Sequence, residues 1–237
     1  MIDKEQELLA KVLDLFARRF DKKAVLRGGM VLRVLGSPRL TNDLDYVFVP
    51  YKSRKDIVKE VIECLKSIPD GQITHSLNSK CLRVVLSVGQ VTVQIEAKVA
   101  MAINTDLAST RLFSTKYDLP PRMIPVVKYS DALANKMAAW NERRLIRDLY
   151  DIWFFLQMNI MPDKKTLETR LADVCYSRLI KTEDYFNGRT VNEFYDFLRN
   201  HASKLSDEDI KKELSDYLPQ DQIAGMAMLF RSALAKL

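Results

Sequence analysis

Cysteine and histidine are scarce in this sequence. The 237 residues contain three cysteines, Cys64, Cys81 and Cys175, which lie far apart and form no C-x-x-C pair. This spacing excludes a zinc ribbon and disfavours a disulfide scaffold, so we expect a reducing, cytoplasmic environment. His75 and His201 are the two histidines, which excludes a multi-histidine metal centre.

Glycine, proline and long apolar runs are also rare. Seven glycines and eight prolines rule out a collagen-like or low-complexity chain. No apolar run approaches the roughly 18 residues that a membrane span requires. The first twenty residues carry charges throughout and lack the apolar segment of a signal peptide. We therefore expect no membrane-bound segment.

The composition that remains is that of a folded protein. Hydrophobic residues make up 47% and charged residues 29% of the chain, which is enough apolar material for a packed core. Lysine and arginine exceed aspartate and glutamate by 37 − 31 = 6. A net charge of +6 permits a polyanionic partner but does not require one.

Hydrophobic periodicity predicts an α/β first half with an antiparallel component. Residues 3–20 have the spacing of an amphipathic helix, with Asp3 and Gln6 placed as a capping box. Residues 103–123 show no period and are predicted to be a linker or covering loop. The other predicted elements are helices at 30–35 and 55–67 and strands at 44–49, 72–76, 82–88 and 91–97, the last two joined by a Gly-Gln turn.

The second half is predicted to be helical. Residues 130–156 favour two helices, and further helices with polar loops follow Pro162. The change in composition places a domain boundary near residue 125. We therefore predict an α+β protein with an α/β domain at 1–125 and a helical domain at 126–237.

A Gly-Gly pair followed by two aspartates is the first candidate site. Gly28 and Gly29 lie between a short strand, the apolar run AVLR at 24–27, and the predicted helix at 30–35. Backbone N–H groups in such a position can bind phosphate. Asp43 and Asp45 are two residues apart at the start of a strand, so their carboxylates share one face and favour a cation such as Mg²⁺. Taken singly, the glycines are typical of a turn and the aspartates of a solvated strand end.

Two further groups of charges are candidates. Glu96 lies on the more polar face of its strand, where it is either an exposed sheet residue or the third carboxylate of a two-metal site. Lys136, Asp148 and Asp151 lie on the two predicted helices of residues 130–156. They form either an ordinary salt-bridged helix pair or part of a site.

In this order, the motifs resemble those of a known family. The stretches LRGGMVLRVLGSPRLTNDLDYVF (26–48) and IPVVKYSDALANKMAAWNERRLIRDLYDIW (124–153) resemble nucleotidyltransferases of the DNA polymerase β superfamily. More narrowly, they resemble the AbiE-type and MenT-type abortive-infection toxins. The resemblance implies a polymerase β-like nucleotidyltransferase core with a mixed sheet, followed by a helical C-terminal region.

The resemblance also implies roles for individual residues. Met30 is a departure, because many members have Ser or Thr there and use its hydroxyl to contact phosphate. The implied assignments are triphosphate binding by Gly28, Gly29, Arg39, Thr41 and Lys136, Mg²⁺ binding by Asp43, Asp45 and Glu96, help from Glu96 in deprotonating the acceptor, and an acidic role for Asp148.

The implied reaction moves a nucleoside monophosphate from an NTP, with two Mg²⁺ ions, onto an acceptor hydroxyl. The resemblance points to the 3′ end of tRNA, whose modification blocks translation, or alternatively to a protein hydroxyl, and it implies a cognate antitoxin. The basic cluster of Arg143, Arg144 and Arg147 agrees with a tRNA acceptor, and equally with an ordinary solvated face. The alternative from another class is a catalytically silent nucleotide-binding or interaction protein on the same fold.

Overall fold

The computed structural model describes residues 2–173, 184–186 and 188–237. Cys175 therefore lies outside the described residues, while Cys64 and Cys81 are free thiols. The chain divides into two compact units, Met1–Lys128 and Tyr129–Leu237. The boundary that we placed near residue 125 falls inside a strand of the first unit, so the sheet extends slightly further than that boundary.

The first unit contains four helices and seven strands in its described residues. Short 3₁₀ turns at Asp21–Lys23 and Thr115–Tyr117 complete it. In chain order the elements are α1 (Ile2–Phe20), β1 (Ala24–Arg27), α2 (Gly29–Val34), β2 (Asp43–Phe48), α3 (Lys55–Leu65), β3 (Gly71–Leu77), β4 (Leu82–Val88), β5 (Val91–Val99), β6 (Thr105–Ser109), α4 (Arg111–Ser114) and β7 (Met123–Val127).

The described strands form one mixed sheet in the order β3-β4-β5-β2-β1-β7-β6. The pairs β2–β5 and β1–β7 are parallel, whereas the other neighbours are antiparallel. The mixed sheet and the α+β class agree with the sequence-based expectation. Up to residue 99 every predicted strand and helix is present, and each begins and ends within two residues of its predicted bounds.

One face of the sheet is closed by α1. Phe16, fully buried on this helix, packs its ring 5.0 Å from that of Tyr46 and 6.2 Å from that of Phe48, both on β2. Phe20 completes the cluster at 5.1 Å from Phe16. Since successive strand residues point to opposite faces, burying Tyr46 and Phe48 here directs Asp43 and Asp45 to the other face.

Two local predictions are wrong. Residues 103–123 are not a linker, since they form β6, α4 and the start of β7. The prediction missed β6 because its outward side chains include Leu107, 62% exposed, and only Ala108 is buried, so no apolar alternation appears. The capping box also fails. Helix α1 already includes Asp3, and the Gln6 side chain donates instead to the carbonyl oxygen of Thr41 at 2.7 Å.

The second unit is helical in its described residues, as predicted. Helices α5 and α6 meet at a two-residue break, where Arg144 adopts a positive φ of 53°. A 3₁₀ turn at Gln220–Gln222 precedes the last helix. The helices are α5 (Tyr129–Arg143), α6 (Ile146–Gln157), α7 (Lys164–Ala172), α8 (Val191–Ser203), α9 (Asp207–Leu214) and α10 (Met226–Leu234).

Across the described stretches of the chain, no helix has the length and apolar character to cross a bilayer.

The Phe16 cluster is expected to account for a large part of the first unit's stability. Phe16→Ala removes a fully buried ring and leaves a cavity, so we expect a loss of about 3–5 kcal/mol in the free energy of unfolding. Lys11→Ala, on the exposed side of the same helix, is the control. Urea unfolding measures both, and a cost below about 1 kcal/mol for Phe16→Ala would contradict this packing.

Candidate active site

The candidate site lies on the sheet face opposite α1. Asp43 and Asp45 project from β2 toward this face, and Glu96 does so from β5. In the parallel β2–β5 pair Asp45 is the register partner of Glu96, and Asp43 is the partner of Gln94. The fold therefore places three carboxylates from two adjacent strands on one surface.

Arginines flank these carboxylates in the same cross-strand row. Arg27 on β1 is the partner of Asp45, and Arg83 on β4 is the partner of Glu96. The row across four strands thus reads Arg27, Asp45, Glu96, Arg83, with the acids in the middle. Opposite charges in neighbouring cross-strand positions stabilise a sheet, whereas the central pair of acids alone would repel each other.

The Glu96 carboxylate is held through one of its two oxygens. Its Oε1 accepts from Arg83 Nε at 3.1 Å, Arg83 Nη2 at 2.8 Å and Gln94 Nε2 at 3.0 Å. The Arg83 side chain is 48% exposed and that of Glu96 24% exposed. These three donors fix the orientation of the carboxylate from one side.

Lys98 is the third cation of this face, two residues beyond Glu96 on β5. Burial and the nearby Arg27 lower the pKa of its ammonium group, while Asp45 and Glu96 oppose that change. Burial, followed by the negative charge of Glu96, raises the pKa of the adjacent Cys81 thiol. Burial is thus the main cause of both pKa shifts, and the nearby charges modify them.

Gly28 allows the backbone to approach Asp45. A Cβ at this position would overlap the Asp45 Oδ2 atom, and the residue has a positive φ of 74°. Its neighbour Gly29 is similar, because a Cβ there would lie 2.8 Å from Arg39 Nη2 and 3.2 Å from Thr41 Oγ1. The two glycines therefore make room for side chains of the site itself.

Arg39 and Thr41 are both buried beside this glycine pair. Thr41 Oγ1 donates to Asp43 Oδ1 at 2.6 Å, which orients that carboxylate. Arg39 Nη1 donates to the carbonyl oxygen of Leu40 at 3.1 Å. The structure thus gathers Gly28, Gly29, Arg39, Thr41, Asp43, Asp45 and Glu96 in one region of the first unit.

Met30 does not take the place of the missing hydroxyl. Its side chain is fully buried in the core, so it offers nothing to a ligand at this face. Met30 is the second residue of the six-residue helix α2.

The chemistry of the donor set fits a hard cation, since Asp43, Asp45 and Glu96 offer carboxylate oxygens of the kind that Mg²⁺ prefers. Among the described residues, however, no three histidine, cysteine or acidic side chains are gathered closely enough to hold a metal ion. Glu96 is instead paired with Arg83. The donors suit the ion, but they are not assembled as a ready-made cage.

The predicted charges of the second unit form a buried cluster of their own. Lys136 Nζ lies 2.6 Å from Asp151 Oδ2 and 3.6 Å from Asp148 Oδ1. Arg143 Nη2 donates to both carboxylate oxygens of Asp148, at 2.7 Å to each. The aspartate side chains are 1% exposed, so two cations compensate two buried acids between α5 and α6.

The basic residues that we associated with tRNA contact other residues of this unit. Arg143 pairs with Asp148, and Arg144 lies 4.4 Å from the Trp140 ring centroid while donating to backbone carbonyls. Burial lowers the pKa of Arg144 to about 10. Arg147 lies over the Tyr217 ring at 5.9 Å. Arg143 and Arg144 are therefore structural, and their sequence proximity does not indicate an RNA-binding patch.

The sequence matches a family model over residues 12–235. The model describes the nucleotidyl transferase AbiEii toxin of type IV toxin–antitoxin systems. The chain belongs to the AbiEii nucleotidyltransferase toxin family. This membership confirms the resemblance found in the two motif stretches. Among curated proteins, none matches the sequence.

Solved structures of the same fold cover nearly the whole chain. MenT4, a nucleotidyltransferase toxin from Mycobacterium tuberculosis H37Rv, is 17% identical with a TM-score of 0.55, covering 99% of this chain and 92% of that one. JHP933 from Helicobacter pylori is 16% identical with a TM-score of 0.52, covering 99% and 93%. A second Helicobacter pylori structure, a putative nucleotidyltransferase, is 15% identical with a TM-score of 0.52, covering 99% and 96%.

Three cations on the sheet face of the candidate site, Arg27, Arg83 and Lys98, were not found from the sequence. Arg83 could have been, because the Gly89-Gln90 turn joins Val88 to Val91 and so sets Arg83 opposite Glu96. Lys98 had a signal too, because strand alternation places it on the same face as Glu96, whereas Arg27 had none, since its position depends on the non-local pairing of β1 with β2.

The contact between Gly28 and Asp45 predicts a matched pair of glycine substitutions. Gly28→Ala and Gly89→Ala both place a Cβ at positive φ, which costs about 1–2 kcal/mol at Gly89 and about 1–3 kcal/mol at Gly28, whose φ of 74° and ψ of −156° are essentially restricted to glycine. Only Gly28→Ala also displaces the Asp45 carboxylate, because Gly89 has open space around it, so we expect about 1–3 kcal/mol more. Urea unfolding compares them, and equal losses would contradict the close approach.

The buried cluster predicts a rescue in the second unit. Lys136→Met leaves Asp151 without the ammonium group and should cost about 3–5 kcal/mol of unfolding free energy. Adding Asp151→Asn removes the stranded charge and should recover a large part of that loss. If the double variant is as unstable as Lys136→Met alone, the ion pair is not the source of the cost.

Proposed function

We propose that the protein transfers a nucleoside monophosphate from Mg-NTP to the hydroxyl at the 3′ end of tRNA, releasing pyrophosphate and blocking translation. The observation that carries the proposal is the shared face of Asp43, Asp45 and Glu96, with Asp45 and Glu96 in register and Gly28 against Asp45. Membership of a nucleotidyltransferase toxin family supports the same reaction class.

Asp43, Asp45 and Glu96 would hold Mg²⁺ at this face. When bound, Mg²⁺ supplies positive charge that stabilises the attacking and leaving oxygens of a phosphoryl displacement. The fixed orientation of two carboxylates supports this role. Thr41 holds one oxygen of Asp43, and Arg83 with Gln94 holds one oxygen of Glu96, so the second oxygen of each acid can face a ligand.

The displacement forms one bond and breaks one. The acceptor hydroxyl oxygen attacks the α-phosphorus, and the bond from that phosphorus to the bridging oxygen breaks, so pyrophosphate leaves with the electron pair. Glu96 helps to remove the hydroxyl proton, which passes to solvent. Because charge develops on both oxygens, positioning and electrostatic stabilisation supply most of the catalysis.

Gly28, Gly29, Arg39 and Thr41 are assigned to the triphosphate. Their support is proximity, since Arg39 and Thr41 lie against Gly29 at the end of β1. The roles of Lys136 and Asp148, triphosphate contact and an essential acid, rest on their motif positions. Their ion pairs in the second unit are a sufficient structural reason for their presence, so these two roles stay predictions.

The acceptor and the partner are proposed from the family. The type IV toxin–antitoxin description implies a cognate antitoxin. The net charge of +6 agrees with a polyanion such as tRNA as the acceptor.

The reaction is tested with total tRNA, Mg²⁺ and each α-³²P-labelled NTP in turn. We expect label on the tRNA 3′ end. Asp43→Asn should reduce this labelling by more than about a hundredfold, because loss of a group that only orients a metal ligand already costs about 10–100-fold in activity. Asp70→Asn, at an exposed turn, is the matched control, and EDTA should abolish labelling.

Other results would identify the alternatives. Label on a protein, still dependent on Asp43, would keep the chemistry and change the acceptor. Binding of Mg-NTP without any labelled product or pyrophosphate release would indicate a catalytically silent nucleotide-binding protein. Full activity of Asp43→Asn would refute the assigned site.

A further inference from the structure

The charged side chains that the strands themselves contribute to the polar face sum to zero, and the buried Arg39 beside Gly29 adds one further positive charge next to it. Alternation along the described strands places six charged side chains on this face, and three are acids while three are bases. The remaining strand residues of the face are uncharged. The six are Asp43, Asp45 and Glu96 against Arg27, Arg83 and Lys98.

The bases are next to the acids that a cation would need. Arg83 occupies Glu96 through two nitrogens, at 2.8 and 3.1 Å. Arg27 is the cross-strand partner of Asp45, and Lys98 is two residues from Glu96 on the same strand face. Every acid of the row thus has a basic neighbour.

This balance is unfavourable for a free divalent cation. A bare cation that approaches Asp45 and Glu96 is attracted by them but repelled by Arg27, Arg83 and Lys98, which lie beside these acids in the sheet, so the bases offset part of the attraction. The acids are also not pre-gathered, because the described residues contain no cluster of three potential metal ligands. A triphosphate that arrives with the cation adds the negative charge that the face lacks.

We propose that Arg27, Arg83 and Lys98 are resident counter-charges that exclude the free divalent cation, so that the face takes the cation only as its nucleoside triphosphate complex. The inference rests on the proposed function, since it concerns the same carboxylates. Arg83 is the key residue, because it binds Glu96 directly and, being 48% exposed, can be replaced without opening the core.

The test measures Mn²⁺ binding by electron paramagnetic resonance, with no turnover needed. Purified full-length protein is titrated with Mn²⁺ alone and with preformed complexes of Mn²⁺ and α,β-methylene analogues of the four NTPs, and each nucleotide titration is repeated without protein, because a triphosphate binds Mn²⁺ by itself. We expect the wild type to bind Mn²⁺ at least about tenfold more tightly with the favoured analogue than without any, because the triphosphate adds negative charge that offsets the three bases.

Substitutions at Arg83 then separate charge from shape. Arg83→Gln should tighten the binding of Mn²⁺ alone by about tenfold, whereas Arg83→Lys, which keeps the charge, should stay near the wild type. Lys80→Gln, an exposed neighbour off the sheet face, is the matched control. Thermal unfolding of each variant shows that it is folded, and the wild-type comparison decides the proposal even if Arg83→Gln is not.

The two proposals fail in different ways. Equal binding of Mn²⁺ with and without nucleotide, or no gain in Arg83→Gln, would overturn the counter-charge proposal while labelling of tRNA stands. Mn²⁺-nucleotide binding that Asp43→Asn leaves unchanged would instead refute the proposed site, and with it the inference.

Discussion

The parallel pairing of β2 with β5 is the constraint on which the candidate site depends. It sets Asp45 beside Glu96 and Asp43 beside Gln94, although about fifty residues separate the two strands in the sequence. Without this register, Asp43 and Asp45 are two acids at the start of a strand. With it, a third carboxylate joins them, and the hairpin partner Arg83 comes with Glu96. The register in turn depends on the opposite face, where Phe16 packs on Tyr46 and Phe48. A slip of one residue would exchange the two faces and bury the aspartates.

Close approach is the second requirement of this region, and glycine meets it. Acids that converge need neighbours that fix their orientation, and here those neighbours come within contact distance because Gly28 and Gly29 have no side chains. The Gly-Gly pair therefore has a structural reason that does not involve a ligand. Gly28 itself is only half-buried, so a phosphate role at this residue is compatible with the packing role. The two explanations are separable, because packing affects the stability of the free protein whereas phosphate binding affects only its complexes.

Local sequence patterns predicted most of the fold, and non-local pairing decided the rest. The alternation in β4 and β5 and the turn at Gly89 predicted the hairpin, and strand periodicity predicted that Asp43 and Asp45 share a face. Strands β1, β2 and β5 are distant in sequence, so no local pattern could place Arg27 beside Asp45, whereas alternation along β5 would have put Lys98 on the face of Glu96. Strand β6 was not predicted, because an edge strand with one buried residue has no apolar alternation. The contacts of Arg143 and Arg144 could not be predicted, because charge in a sequence does not show whether a guanidinium faces solvent, a buried carboxylate or an aromatic ring.

The two charged clusters have different value as evidence for function. Asp148 and Asp151 are 1% exposed and compensated by Lys136 and Arg143, so removal of one partner destabilises the helices whatever the activity. A protein that had lost catalysis would still need this cluster to fold. Asp43 and Glu96 are partly exposed at a sheet surface and contribute no apolar burial, so the core has little need of them. The pairs of Asp45 with Arg27 and of Glu96 with Arg83 stabilise the sheet, but they do not require the two acids to be neighbours in the middle of the row. The carboxylate face, rather than the buried cluster, is therefore the stronger argument for an active nucleotidyltransferase.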